Sequence, residues 1–308
     1  MKQKTNRRLL LRWLGTILSF VLLATLFYIY RADILEAVQR VTITNLLIAC
    51  GFVLLSRLMT VARWHTLLRS GGVDISLKDT LMLTFTGLFA SNFLPTSVGG
   101  DVVRLTGAMQ MGHDRAVCLA SIAADRLVNM TGMSLASPLG IYQLLQAGPF
   151  APAAAGLQSV GVAALWEKGW GFARRTLSSL TIWLKQPLVL LTALSFALGN
   201  LLCMACGYYF LIQGLGESIP FWKVVGLISA GYFLGLMPFT INGYGWHEAI
   251  VSTLFAQIGG LNYGVAAVVV VLHRLLMMFA SLPGAVTLPG VMAKMDREEQ
   301  EKQELEIR

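Results

Sequence analysis

Eight ionisable residues lie within or beside stretches that are otherwise apolar: Arg57, Arg104, Asp125, Arg126, His247, Glu248, His273 and Arg274. An arginine at the centre of a bilayer costs about 2.5–3.5 kcal/mol on insertion scales, so such groups persist only where they pair, snorkel or line a wet cavity. Two chemistries are open to them. They could form buried ion pairs that fix helix packing, such as Asp125 with an arginine from the other half of the chain. Alternatively, the arginines could grip an anion, aided by helix amino termini nearby. Arg57 could also snorkel to the cytoplasmic surface, and His273 reads first as a helix-packing histidine. Covalent chemistry has little support. The sequence contains no HExxH, GxSxG or Walker motif and no Asp/His cluster at metal spacing. No enzyme activity, metal or cofactor is therefore expected. Cys203-Met204-Ala205-Cys206 has CxxC spacing, but it stands alone in an apolar stretch, as Cys50 and Cys118 do, and reads as helix packing.

The background to these charges is a membrane protein. Of 308 residues, 56% are hydrophobic and 13% charged, against about 25% charged in a soluble protein, and the mean hydropathy is +0.65. A soluble, disordered or fibrous chain is excluded. The net charge of +8 would point to nucleic acid in a soluble protein. Here Lys2, Lys4, Arg7, Arg8 and Arg12 precede the first apolar run and Arg174, Arg175 and Lys185 lie between later ones, the pattern that fixes topology at a cytoplasmic surface. No nucleic acid partner is expected. No small-x-small cleavage site follows the first run, so it reads as a retained span.

A hydrocarbon core about 30 Å thick needs roughly 20 apolar residues per helix. On that measure the spans are 13–30, 43–62, 116–145 (with Pro138 as a kink or break), a weaker 151–165, 187–212 and 264–288. Leu81–Val98 and Val224–Met237 are apolar too, but each runs into a Pro/Gly-rich break, and Ala249–Ile258 is too short to cross alone. The two breaks share an anatomy. One reads NFLPTSVGGDVVR around Pro95, the other GLMPFTINGYGWHE around Pro238, and each has a glycine five residues after its proline, Gly100 and Gly243. Downstream, Gly112 precedes Arg126 by fourteen residues and Gly260 precedes Arg274 by fourteen. This points to an internal duplication, with repeat 1 at about 43–147 and repeat 2 at about 187–288.

If each broken segment is a re-entrant hairpin, the predicted fold is an all-α polytopic membrane domain. It has about six full spans and two re-entrant helical hairpins, and a charged cytoplasmic tail over 293–308. With the amino terminus inside, Arg63, Arg69 and Lys78 fall inside, as does the carboxyl tail. The first hairpin then opens from the cytoplasm and the second from the opposite face. Such an inverted repeat is the basis of alternating-access carriers.

An N-F-x-P…G-G-D-x-x-R segment followed by P…G-x-G-x-x-E resembles the lysylphosphatidylglycerol synthase transmembrane family, also called the flippase-like domain family, over about Leu46 to Leu288. Asn92, Pro95, Gly99, Gly100, Asp101 and Arg104 match its first motif, and Asp125-Arg126 takes the place of its acidic–arginine pair. Pro238, Gly243, Gly245 and Glu248 match the second motif, with Arg274 as its downstream arginine; His247 stands where arginine is more frequent. The resemblance implies a lipid translocase of the bacterial inner membrane with both termini cytoplasmic. Its substrate would be a phospholipid, aminoacyl-phospholipid or polyprenyl-linked lipid with an anionic phosphate. Arg104, Arg126 and Arg274 would hold that phosphate with help from Arg57, while Asp101, Asp125 and Glu248 balance charge or meet the headgroup. The sequence ends about twenty residues after its last span, so no soluble aminoacyl-transfer domain is expected. The alternative function is a non-transporting scaffold or accessory subunit for a lipid-synthesis enzyme or glycosyltransferase.

Overall fold

A computed structural model describes residues 39–93, 99–146, 185–235 and 245–291, preceded by Tyr28, Arg31 and Glu36. In chain order its helices are α1 (Ile43–Ser70), α2 (Leu77–Phe93), α3 (Gly99–Gln110), α4 (Arg115–Gln146), α5 (Pro187–Gly214), α6 (Phe221–Gly235), α7 (Trp246–Gln257) and α8 (Tyr263–Ser281). A short helical stretch over 284–291 follows, and there is no strand among the described residues. Helices α1, α5 and α8 are long and apolar enough to cross a membrane. The expected spans at 13–30 (apart from Tyr28) and 151–165 and the tail at 293–308 lie outside the described residues.

Two boundaries differ from the sequence reading, those of α1 and of the last span, while α4 matches the expected span to one residue at each end. α1 does not stop at Ala62 but runs to Ser70, so Arg63 is a helix residue and not a loop charge; it is only 4% exposed. α4 continues through Pro138. Proline has no N–H for the carbonyl four residues back, and the Ser137 hydroxyl donates to that carbonyl, Ser134 O, at 2.8 Å instead. The last expected span is broken at Leu282-Pro283, after which 284–291 packs back on α2.

The segments around the two breaks form antiparallel helical hairpins. In the first, Gly100 of α3 lies against the Gly87 carbonyl of α2, where a Cβ would sit 2.3 Å from that oxygen, and Gly107 lies against Leu83. In the second, Gly231 of α6 faces Val251 of α7 and Gly235 faces His247. The four described helices are 12–17 residues long, or about 18–26 Å at 1.5 Å per residue. Each hairpin is followed by the same turn. Gly112 and Gly260 have φ of 85° and 81°, a left-handed conformation that glycine adopts without a Cβ penalty. Two residues later, Asp114 accepts from Val117 N at 3.0 Å and Asn262 from Gly264 N at 2.7 Å, capping α4 and α8.

Small residues bring the remaining helices together, as expected where lipid removes the hydrophobic drive for association. Gly132 of α4 meets Ala197 of α5, and Gly140 meets the Gly226 backbone of α6. Leu47, Leu54 and Leu58 form an exposed apolar stripe on α1, suited to a lipid-facing surface. Residues 284–291 cover the first hairpin: Thr287 hydrogen-bonds Thr86, and Leu288 and Val291 pack on Ala90 and Val103.

Candidate functional site: two charged clusters

An acid in the first turn of a helix is stabilised by the positive end of the helix dipole. Asp101 is the third residue of α3 and Glu248 the third of α7. Each pairs with an arginine on the long helix that follows its hairpin. Arg126 Nε of α4 meets Asp101 Oδ2, and Arg274 Nε of α8 lies 2.6 Å from Glu248 Oε1. These are the two arginines that stand fourteen residues after the matched glycines. The spacing seen in the sequence therefore corresponds to the same acid–arginine contact in each half.

Around the first pair the charges form a chain. Asp125 is 3% exposed. Its Oδ1 accepts from Arg63 Nε at 2.6 Å and its Oδ2 from Arg104 Nη2 at 3.2 Å. Arg104 Nη1 also reaches Asp101 Oδ1 at 3.2 Å, and Asp101 Oδ2 accepts from Arg126. The order is Arg63, Asp125, Arg104, Asp101, Arg126, with all four carboxylate oxygens used. The Arg104 guanidinium lies 4.0 Å from the Trp64 ring centroid, and Trp64 Nε1 is fixed by donating to Ser121 Oγ at 3.1 Å. Asn129, one turn after Asp125, accepts from Arg63 Nη1 at 2.8 Å. Buried charges are tolerated when paired and hydrogen-bonded in this way. The partners of Asp125 both come from its own half, not from the other half.

The second cluster is built differently. Glu248 is 4% exposed; besides Arg274 it accepts from Gly245 N at 2.8 Å. That bond caps the start of α7, where Gly245 has φ of 77°. His273 is buried and stacks on Tyr208 of α5, with ring centroids 3.8 Å apart and planes 16° from parallel. Arg57 enters from α1, close enough to Arg274 and His273 for its charge to act on both, and His247 lies within the field of Arg274 and Glu248. The one carboxylate of this cluster thus pairs with Arg274, and Arg57 lies beside that pair. Arg57 Nε and His273 Nε2 are buried without a hydrogen-bond partner.

The structure therefore brings Asp101, Arg104, Asp125 and Arg126 together in one cluster and Arg57, His247, Glu248 and Arg274 in the other. Asn92 and Gly100 belong to neither. Asn92 donates to Ser281 Oγ at the end of α8 at 2.9 Å, and Gly100 permits close hairpin packing. Pro95, Pro238 and Gly243 lie outside the described residues. Sequence reasoning missed Arg63, Asn129, Trp64 and Tyr208. The available signals were a second arginine in the helix of Arg57 and an asparagine four residues after Asp125, on the same helical face. No three His, Cys, Asp or Glu side chains form a metal-binding group among the described residues.

No curated protein matches the sequence. The family model of the lysylphosphatidylglycerol synthase TM region matches residues 12–284, nearly the whole chain, and the protein belongs to that family of membrane proteins associated with lipid-related processes.

Proposed function

We propose that the protein is a lipid translocase that moves a lipid with an anionic phosphate between leaflets of the bacterial inner membrane and leaves it chemically unchanged. The observation that carries this reading is the repeated unit: a glycine-packed hairpin, a positive-φ turn and a long helix whose arginine meets the hairpin's acid. Two such units, inserted from opposite faces with both termini cytoplasmic, would form the inverted pair from which alternating-access carriers are made. Paired charges at the hairpins supply polar surface along a route that lipid tails cannot offer a headgroup. The test is reconstitution in liposomes with fluorescent phospholipids and a membrane-impermeant quencher. The expected result is transfer of label between leaflets at a rate proportional to protein. A scaffold for a lipid-synthesis enzyme or glycosyltransferase moves nothing in this assay, and a transferase yields an altered lipid. Cysteines placed near Gly99 and Gly243 should react with an impermeant thiol reagent from opposite sides; labelling of both from one side sinks the inverted arrangement.

A further inference from the structure

We infer that Asn92 is a positioning residue that latches the first hairpin to α8, and that the hairpin moves by leaving this latch and the strap formed by 284–291, while the second hairpin stays fixed. Asn92 is the motif residue that neither charged cluster takes up. Its amide donates to Ser281 Oγ at 2.9 Å, across 189 residues of sequence. Beyond Ser281 the chain breaks at Leu282-Pro283. Leu282 N turns back to Phe279 O at 3.0 Å, and Pro283 has no N–H with which to continue α8. The strap then runs along the first hairpin. Gly284 lies against the Phe85 carbonyl with no room for a Cβ, Thr287 hydrogen-bonds Thr86, and Gln110 Nε2 of α3 donates to Val291 O at 3.3 Å.

Two observations mark this as a contact that opens. The first is its strength. The first hairpin is fastened to α4 of its own half by buried charges, Asp101 and Arg104 with Asp125 and Arg126. Its side-chain bonds to Ser281 and Thr287 are between neutral groups, and single interhelical bonds of that kind are weak in membranes. The second is its seating. A groove of about 260 Å³ remains between the strap and the base of the hairpin, with Met82, Met111 and Val286 in its walls, and Val286 is 84% exposed. A settled core interface leaves no such space. The second hairpin is seated in the opposite way. Leu227, Val251 and Phe255 share one core with Tyr208 of α5 and Val269 of α8. The buried Ser229 Oγ donates to Met133 O of α4 at 2.7 Å, and Gly226 meets the Gly140 backbone. Arg274 and Ser281 are seven residues apart, two turns along one face of α8. The latch therefore ties the moving hairpin to the helix face that holds the second hairpin's Glu248.

Hydrogen exchange of the purified protein in detergent reads the latch without any transport. Amides of 284–291 and α3 should exchange faster than those of α6 and α7. Asn92→Ala and Ser281→Ala should each speed exchange of 284–291 by about three- to tenfold, the opening expected from losing one interhelical hydrogen bond, and leave α6 and α7 unchanged. Ser281→Thr keeps the hydroxyl and should restore wild-type rates. If Asn92→Ala fails to fold, the two Ser281 variants decide. Equal protection of the two hairpins, or acceleration throughout the molecule or nowhere in the variants, overturns the latch and makes Asn92 a packing residue. The movement itself rests on the translocase reading and is tested in liposomes. In a cysteine-free protein, Thr86→Cys and Thr287→Cys joined by a disulfide should stop lipid transfer, and reductant should restore it. Equal transfer by the oxidised and reduced forms overturns the movement of the first hairpin. If the exchange results hold and the wild type transfers no lipid, the latch stands and the translocase reading falls.

Discussion

The two charged clusters start from the same contact and are then extended differently. In each, an acid in the third position of a short hairpin helix meets an arginine of the following long helix. Around Asp101 the chain then adds Arg104, Asp125 and Arg63 until every carboxylate oxygen has a guanidinium. Around Glu248 it adds Arg57, His247 and His273 and no second acid; each cluster keeps buried nitrogens without a hydrogen-bond partner, among them Arg104 Nε in the first and Arg57 Nε and His273 Nε2 in the second. Adding an acid and two more arginines turns the pair into a fastening between α1, α3 and α4. Adding a cation and no acid leaves a single ion pair, Glu248 with Arg274, beside a second guanidinium. The difference begins with the neighbouring residue: Asp125 precedes Arg126, whereas His273 precedes Arg274.

The largest expected effect is at the centre of the fastening. Asp125→Ala leaves the buried Arg63 with no carboxylate, only Asn129, and Arg104 with Asp101 alone, and should cost about 3–5 kcal/mol, read as a large fall in melting temperature in detergent. Glu248→Ala strands one paired arginine and should cost clearly less; equal losses would erase the distinction between a networked acid and a singly paired one. Next, Gly100→Ala puts a methyl group 2.3 Å from the Gly87 carbonyl, which cannot rotate away, and should cost about 1–3 kcal/mol by the usual scale of overpacking. Gly235→Ala meets only the His247 ring, at 3.0 Å, and should be milder. Arg274→Lys should fold but transfer lipid about tenfold more slowly, because lysine lacks the planar fork, whereas Arg126→Lys should stay within about twofold of wild type if its task is only to balance Asp101. Transfer rates in liposomes check both, and equal losses would place the first cluster on the lipid's route as well. The smallest effect is expected for Tyr232→Phe. It removes a hydroxyl that accepts from Asn129 at 3.5 Å, and about 0.6 kcal/mol or less is typical of interhelical bonds in membranes.

Much of this was legible in the sequence because proline, glycine and charge are conspicuous against apolar background. The breaks after Phe93 and Gly235, the matched glycines and the arginines that follow them were found by counting residues. Arg63 was not, because an arginine at the apparent end of a span reads as a topology signal, and only the extension of α1 to Ser70 shows it buried. The exchange of partners within the first cluster was also invisible: adjacent residues Asp125 and Arg126 look like a pair, but they are about 100° apart around the helix. One points into the protein at 3% exposure, and the other has a side chain 47% exposed. The span over Pro138 was legible from its apolar length, and the helix passes the proline because the serine before it satisfies the carbonyl that proline leaves open.

The position of α1 in the chain sets a timing problem for the cell. Two of its three arginines, Arg57 and Arg63, go one to each cluster, but the acids of both clusters are translated later: Asp125 comes 62 residues after Arg63. At about 5–20 residues per second, that is roughly 3–12 seconds during which the ribosome has delivered the cations and not their counter-ion. Each exposed arginine costs about 2.5–3.5 kcal/mol at the bilayer centre. α1 therefore enters the bilayer on the strength of its leucines and valines, or waits beside the insertion machinery until α4 emerges.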